Sequence, residues 1–226
     1  MVTAIKYMNR YLPTIARPIV AAVGRSEVIA CGLMLPHESQ PVIMYNPASQ
    51  KGHYFINHGR GKLPQPVGER TKVIGNLIVY QKMLRAQQND IYQVIAQDTT
   101  TTHVRRSPNI TIKMRTDQRN ELLQVDQDNN VVRLQWNAVA DEYSAMIYFV
   151  ALEDSAGNGL FGVYTREAQL HIPALTEMAL LLPGMDRELQ QKQHYTAHLF
   201  VVDYDGWVPV RSSVEFRYSA EHATMK

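Results

Sequence analysis

From Asn109 onward the apolar residues recur at every second position. "VVRLQW" puts Val132, Leu134 and Trp136 on one face, with Arg133 and Gln135 on the other. "YTAHLFVVD" aligns Tyr195, Ala197, Leu199 and Val201, and "VPVRSSVEFRY" aligns Val214, Phe216 and Tyr218. A period of two belongs to the β-strand, whose successive side chains point to opposite faces. A helix would need apolar residues three and four apart. "NITIKMRT", "ELLQVDQ", "GLFGVYT" and "AQLHIP" read as further strands. "AMIYFVALE" is apolar on both faces, as a central strand is. Asp205-Gly206 marks a tight turn between the last two strands, and residues 174–193, around "LLPG", read as a short helix or a long loop. The seven or eight short strands, with turn signals between them, predict an antiparallel β-sandwich.

Several landmarks follow in order along this half. A strand ends in Trp136, "LLPG" stands at 181–184, Tyr195 opens the strand "YTAHLFVVDYDG", and Ser212-Ser213 lie in the next one. In these features residues 109–226 resemble a fibronectin type III or immunoglobulin-like domain. The resemblance covers about half the chain and is interrupted between Gly184 and Tyr195, where ten residues are inserted. It implies a two-sheet sandwich and no particular activity, since unrelated functions share that architecture. The overall layout is also similar to two-part accessory proteins of bacterial surfaces and phage particles, in which an N-terminal assembly region displays a small sandwich. The first half resembles no family.

That first half, residues 1–108, has a different character. "PIVAAV", "EVIACGLML", "PVIMY" and "HYFIN" are short apolar runs separated by Gly, Pro, Asn and Ser, which is strand-and-turn punctuation. Residues 58–68, "HGRGKLPQPVG", form a basic loop. Val73, Leu77, Tyr80 and Leu84 follow helical spacing, and the stretch after Gly75 is rich in helix-forming Gln, Leu, Met, Arg and Ala. The spacing predicts one long helix over about residues 70–97, and so an α+β fold overall, mostly β. The competing reading is a hairpin turning at Gly75-Asn76. The first 26 residues read as an ordered basic arm. Uncleaved targeting is the alternative.

Charge divides at the same place. Residues 1–108 hold 13 Lys and Arg against 5 Asp and Glu, a net +8; residues 109–226 hold 10 against 16, a net −6. The polar stretch "QDTTTTHVRRSPN" lies at the change, so the domain boundary is placed near Pro108. A basic region approaches anionic partners, or the acidic half of another copy in a head-to-tail contact.

No set of residues for catalysis emerges. The single cysteine, Cys31, excludes an intrachain disulfide and has no base fixed beside it. His194 and His198, four apart on a strand, stand roughly 13 Å from one another, too far to share an ion. "DQDNN" at 126–130 imitates a calcium loop but has Val131 where Gly is required and Asn137 where Glu is required. No catalytic residue, metal ligand or cofactor is assigned. No apolar run reaches the ~20 residues that span a bilayer.

The leading expectation is a non-enzymatic structural or assembly protein of a multi-subunit particle, a phage virion or a bacterial surface structure, made of a basic docking half and a displayed, self-sufficient sandwich. Its partners would be proteins, its own copies included, and the localisation stays open, with a virion or a cytoplasm-assembled particle favoured. A recognition module that binds peptide or carbohydrate through sandwich loops is the alternative, with Tyr204 and Trp207 as aromatic anchors beside the turn; a Trp207 folded back onto the sandwich edge is the competing reading of that residue. A nucleic-acid binder using Arg60, Lys62, Arg70, Lys72, Arg105 and Arg106 is a further one, with little aromatic interleaving to support it.

Overall fold

The structure, a computed structural model, describes residues 30–36, 39–45, 52–58, 65–66, 71–74, 78–83, 85–98, 104–128, 131–137, 145–172, 189–190 and 192–219. All regular elements among them are strands. In the first half these are β1 (Ala30–Leu33), β2 (Val42–Tyr45), β3 (Gly52–His58), β4 (Gln65–Pro66), β5 (Thr71–Ile74), β6 (Ile78–Lys82), β7 (Ile91–Asp98), β8 (Val104–Arg106) and β9 (Ile110–Thr111). The second half supplies β10 (Asp117–Gln118), β11 (Leu123–Asp128), β12 (Val131–Trp136), β13 (Ala145–Asp154), β14 (Gly159–Thr165), β15 (Gln169–Ile172), β16 (His194–Asp203) and β17 (Val210–Arg217).

The second half forms a sandwich of a three-stranded sheet, β11-β12-β15, and a five-stranded sheet, β10-β17-β16-β13-β14. The alternation read from the sequence is the reason. Val132, Leu134 and Trp136 of β12 point inward, as do Tyr195, Ala197, Leu199 and Val201 of β16, and together they fill the space between the sheets. Tyr195 opens β16, and its Oη accepts a 2.6 Å hydrogen bond from the backbone N–H of Gln190, five residues upstream. This is the tyrosine corner of immunoglobulin-like sandwiches. The second half thus has the fold of an immunoglobulin-like β-sandwich.

The first half repeats the plan. Its sheets are β1-β2-β6-β5 and β4-β3-β7-β8, with β9 also pairing β7. With the strands lettered in chain order, both halves follow one scheme: A-B-E, extended by D in the first half, faces C′-C-F-G. No repeat is visible in the sequence, because a strand order is set by pairing and constrains only the alternation of side chains.

The two sandwiches are stacked face to face. In β13, Tyr148, Val150 and Leu152 face the core of the second sandwich, while Ile147, Phe149 and Ala151 face the other way. That second face, with Phe200 and Val202 of β16, packs against Cys31, Leu33, Val42 and Met44 of the first half. Ala30, Ile43 and Tyr45, on the opposite side of β1 and β2, then meet Ile56, Tyr92 and Val94 of the sheet beyond. The result is four sheet layers with three apolar cores between them. Fully burying an aliphatic or phenyl side chain contributes about 1.5–3 kcal/mol. Uncovering Ile147, Phe149, Phe200 and Val202 alone would cost about 6–12 kcal/mol, as much as a whole domain's stability. The expectation of a self-sufficient second half is therefore corrected: its five-stranded sheet needs the first half as a cover.

The long helix is corrected too. Over 70–97 the described residues form β5, β6 and β7. β5 and β6 are antiparallel neighbours, pairing Thr71 with Tyr80 and Ile74 with Ile78, which is the hairpin reading of Gly75-Asn76. Beyond β6, Arg85 and Asn89 both take φ 68°, which no helix accommodates. Helix propensity differs by only tenths of a kcal/mol per residue. Burial of Met83 and Ala86 in the first sandwich's core outweighs it. Strand pairing passes from the first group to the second between Thr111 and Asp117, a few residues beyond Pro108. The basic arm, the basic loop from 59 to 64 and the "LLPG" turn lie outside the described residues.

Candidate functional site

The turn between β16 and β17 joins the halves. Asp203 Oδ1 accepts the N–H groups of Asp205 and Trp207, both at 2.9 Å, and Gly206 takes φ 69°. This tight Asx-type turn aims residues 206–208 at the edge of β1. There the Gly32 N–H donates to the Gly206 carbonyl and the Val208 N–H donates to the Gly32 carbonyl, each at 2.8 Å. Trp207 is carried into the core of the first sandwich, where it is fully buried, and its indole N–H donates to the Arg115 carbonyl at 2.6 Å. Gly32 is required by this approach: a Cβ there would stand 2.7 Å from Trp207 Cε3. Lys113 Nζ closes the junction, 2.7 Å from Asp203 Oδ2 and 2.8 Å from Asp205 Oδ2. Partial burial pulls the Lys113 pKa down, but the hydrogen bonds and charges of the two aspartates outweigh it, and the net shift is upward.

Trp207 is thus corrected from an exposed anchor to an internal plug of the other sandwich. Its neighbour Tyr204 is 50% exposed. Arg106 is exposed on β8; Arg105 lies next to it in the same strand, and Lys72 lies in β5. Arg60, Lys62 and Arg70 lie outside the described residues. The structure therefore does not gather these cations into one described patch.

The titratable groups form small pairs. Cys31 is buried between the sandwiches, and desolvation, with the Asp203 charge second, pushes its thiol far above the ordinary range, which makes it inert. His58 Nε2 lies 3.4 Å from Asp90 Oδ1 and its ring stands 4.8 Å from that of Tyr92. Burial, then the Asp90 charge, raises the Tyr92 pKa. His198 Nε2 lies 3.0 Å from Glu153 Oε1, and Ser213 stands opposite His198 in the next strand. A nucleophile, base and acid thus share a sheet face, yet no hydrogen bond joins Ser213 to His198. Sequence reasoning missed this pairing because its members come from three strands. Among the described residues no group of three or more His, Cys, Asp or Glu is placed to hold a metal. At 126–130, β11 and β12 form a hairpin that pairs Asp128 with Val131.

The outer face of the three-stranded sheet is polar and ordered in rows. Gln124, Gln135 and Gln169 stand side by side across β11, β12 and β15, and Asp126, Arg133 and His171 form the next row. A recess of about 430 Å³ opens at the glutamine row, bounded also by Trp136, Asn137 and Glu167. Its donors and acceptors are mostly neutral amides.

No family model matches this chain, and no curated protein matches it. Among solved structures, the crystal structure of the chicken CNTN1 FN1-FN3 domains aligns at 12% identity over 91% of this chain and 69% of that one, with a TM-score of 0.33. Strand order and the tyrosine corner define the fold. No helix among the described residues is long and apolar enough to cross a membrane.

Proposed function

We propose that this protein is a non-enzymatic protein-interaction and assembly module, a subunit that docks through its basic first half and holds the second sandwich rigidly against its partner. The observation that carries the reading is the shared junction. With Phe149, Phe200, Leu33 and Met44 packed between the halves and Trp207 plugged across them, the space between domains is filled with apolar side chains. Interaction is left to the outer surfaces of one block. The outer sheets of the two halves lie at opposite ends of the stack, and the net +8 and −6 of the two halves in sequence support charge-guided docking. A multi-subunit particle such as a virion or a surface structure is the proposed setting.

Sedimentation of the purified protein across a salt series, alone and with anionic partner proteins, tests this. Salt-sensitive association is expected. A chain that stays monomeric at low salt and binds no partner would remove the basis of the reading. A second reading, recognition of a neutral polar ligand, is favoured only by the amide-lined recess. Calorimetric titration with neutral oligosaccharides, repeated on Gln135→Ala, checks it.

A further inference from the structure

Among the described residues the four sheets have eight edges. Exposed edges invite pairing with other chains, and proteins blunt them with charge, proline, shortness, bulges or a cover. Seven of these edges are blunted. β1 is covered by residues 206–208. β4 is two residues long and contains Pro66; β10 is two residues long and contains Asp117. β5 is four residues long and bears Lys72. β8 carries Arg105 and Arg106 in three residues, and β11 carries Asp126 and Asp128. β15 is four residues long and ends beside the polar row.

β14 is the exception. "GLFGVYT", Gly159–Thr165, runs seven residues with no charge and no proline, and has a strand neighbour, β13, on one side only among the described residues. Its register against β13 slips once, at the Gly159 end, and Phe161–Thr165 pair regularly. The segment is also complementary to itself. Antiparallel pairing centred on Gly162 sets Phe161 opposite Val163, Leu160 opposite Tyr164 and Gly159 opposite Thr165. Aromatic and β-branched residues are favourable cross-strand partners, and no like charges meet. The second half carries a net −6, so an uncharged strip is where two copies approach with least repulsion.

We infer that two copies of this chain join through β14 about a two-fold axis, making one continuous ten-stranded sheet from the two five-stranded ones. This contact goes beyond the charge-guided docking of the first half, and each stands without the other. Pairing centred on Gly162 brings Asn158 of one copy and Arg166 of the other to the same end of the joined strands, just outside β14, within reach of a short bis-maleimide linker but not of a second copy of the same position, which lies at the far end. Both positions are exposed, and the native Cys31 is buried.

The test begins with the unaltered protein. Light-scattering mass over a wide concentration range is expected to rise from 25.7 kDa toward twice that value. The rise is expected to persist in high salt, where charge-guided contacts are screened, because the strip is uncharged. Hydrogen exchange over 159–165 is expected to slow as concentration rises. Next, Asn158→Cys and Arg166→Cys, each alone and then as a mixture, are treated with a short bis-maleimide; a cross-linked dimer is expected from the mixture alone. A monomer at all concentrations overturns the inference, as does exchange at β14 that ignores concentration, or cross-linking within a single variant. A monomer that still binds an anionic partner overturns this inference and leaves the proposed function standing.

Discussion

Replacing Trp207 with Ala should destabilise a sandwich to which Trp207 does not belong in chain order. The side chain is fully buried against Ile110 and other core residues of the first half. Truncating a buried tryptophan costs about 3–5 kcal/mol, from lost transfer energy and the cavity left behind. The indole hydrogen bond to the Arg115 carbonyl adds about 1 kcal/mol. The sum, about 4–6 kcal/mol, is a large part of a typical stability of about 5–15 kcal/mol. With a urea slope near 3 kcal/mol/M, the midpoint should fall by about 1.3–2 M. Circular dichroism gives the midpoint, and Trp136, the remaining tryptophan, reports on the second sandwich separately. Hydrogen exchange over β1, β2 and β7 locates the damage. A loss below about 1 kcal/mol, or protection lost from the second half alone, would refute the account of Trp207 as an inter-sandwich plug.

Further outcomes follow from the same junction. Gly32→Ala, whose new Cβ meets the Trp207 ring at 2.7 Å, should cost about 1–3 kcal/mol, and much less in a Trp207→Ala background when a double-mutant cycle is run. Lys113→Met should cost about 1–2 kcal/mol by urea titration, because Asp203 keeps two backbone donors and the lysine side chain is 39% exposed. Its raised pKa means that this contribution is intact below the ordinary 10.5 and is lost only as pH rises through the folded value. Cys31 is also raised, from an ordinary 9.0, so between pH 9 and 10 the unfolded thiol ionises while the folded one does not. Stability should then fall by up to about 1.4 kcal/mol per pH unit, and Cys31→Ala should remove that slope in urea titrations at stepped pH. Tyr204→Ala, at a half-exposed site, should shift thermal stability by less than about 0.5 kcal/mol.

The second sandwich was legible because its alternation is local: the positions of Val132, Leu134, Trp136, Tyr195 and Leu199 in their strands suffice to divide inside from outside. "AMIYFVALE" even announced a strand buried on both faces, though nothing in it named the sheet on the far side. The first sandwich was obscured where helix-forming residues after Gly75 outweighed a turn signal that proved to be the correct one. Period and turn residues are properties of short stretches, and the chain alone determined them. The stacking of four layers and the insertion of Trp207 beside Gly32 join residues up to 175 positions apart, and even Ser213 meets His198 across 15. Only the tertiary structure decided these, because contacts between surfaces depend on which faces meet once every strand has formed, and one strand's pattern fits many partners equally well.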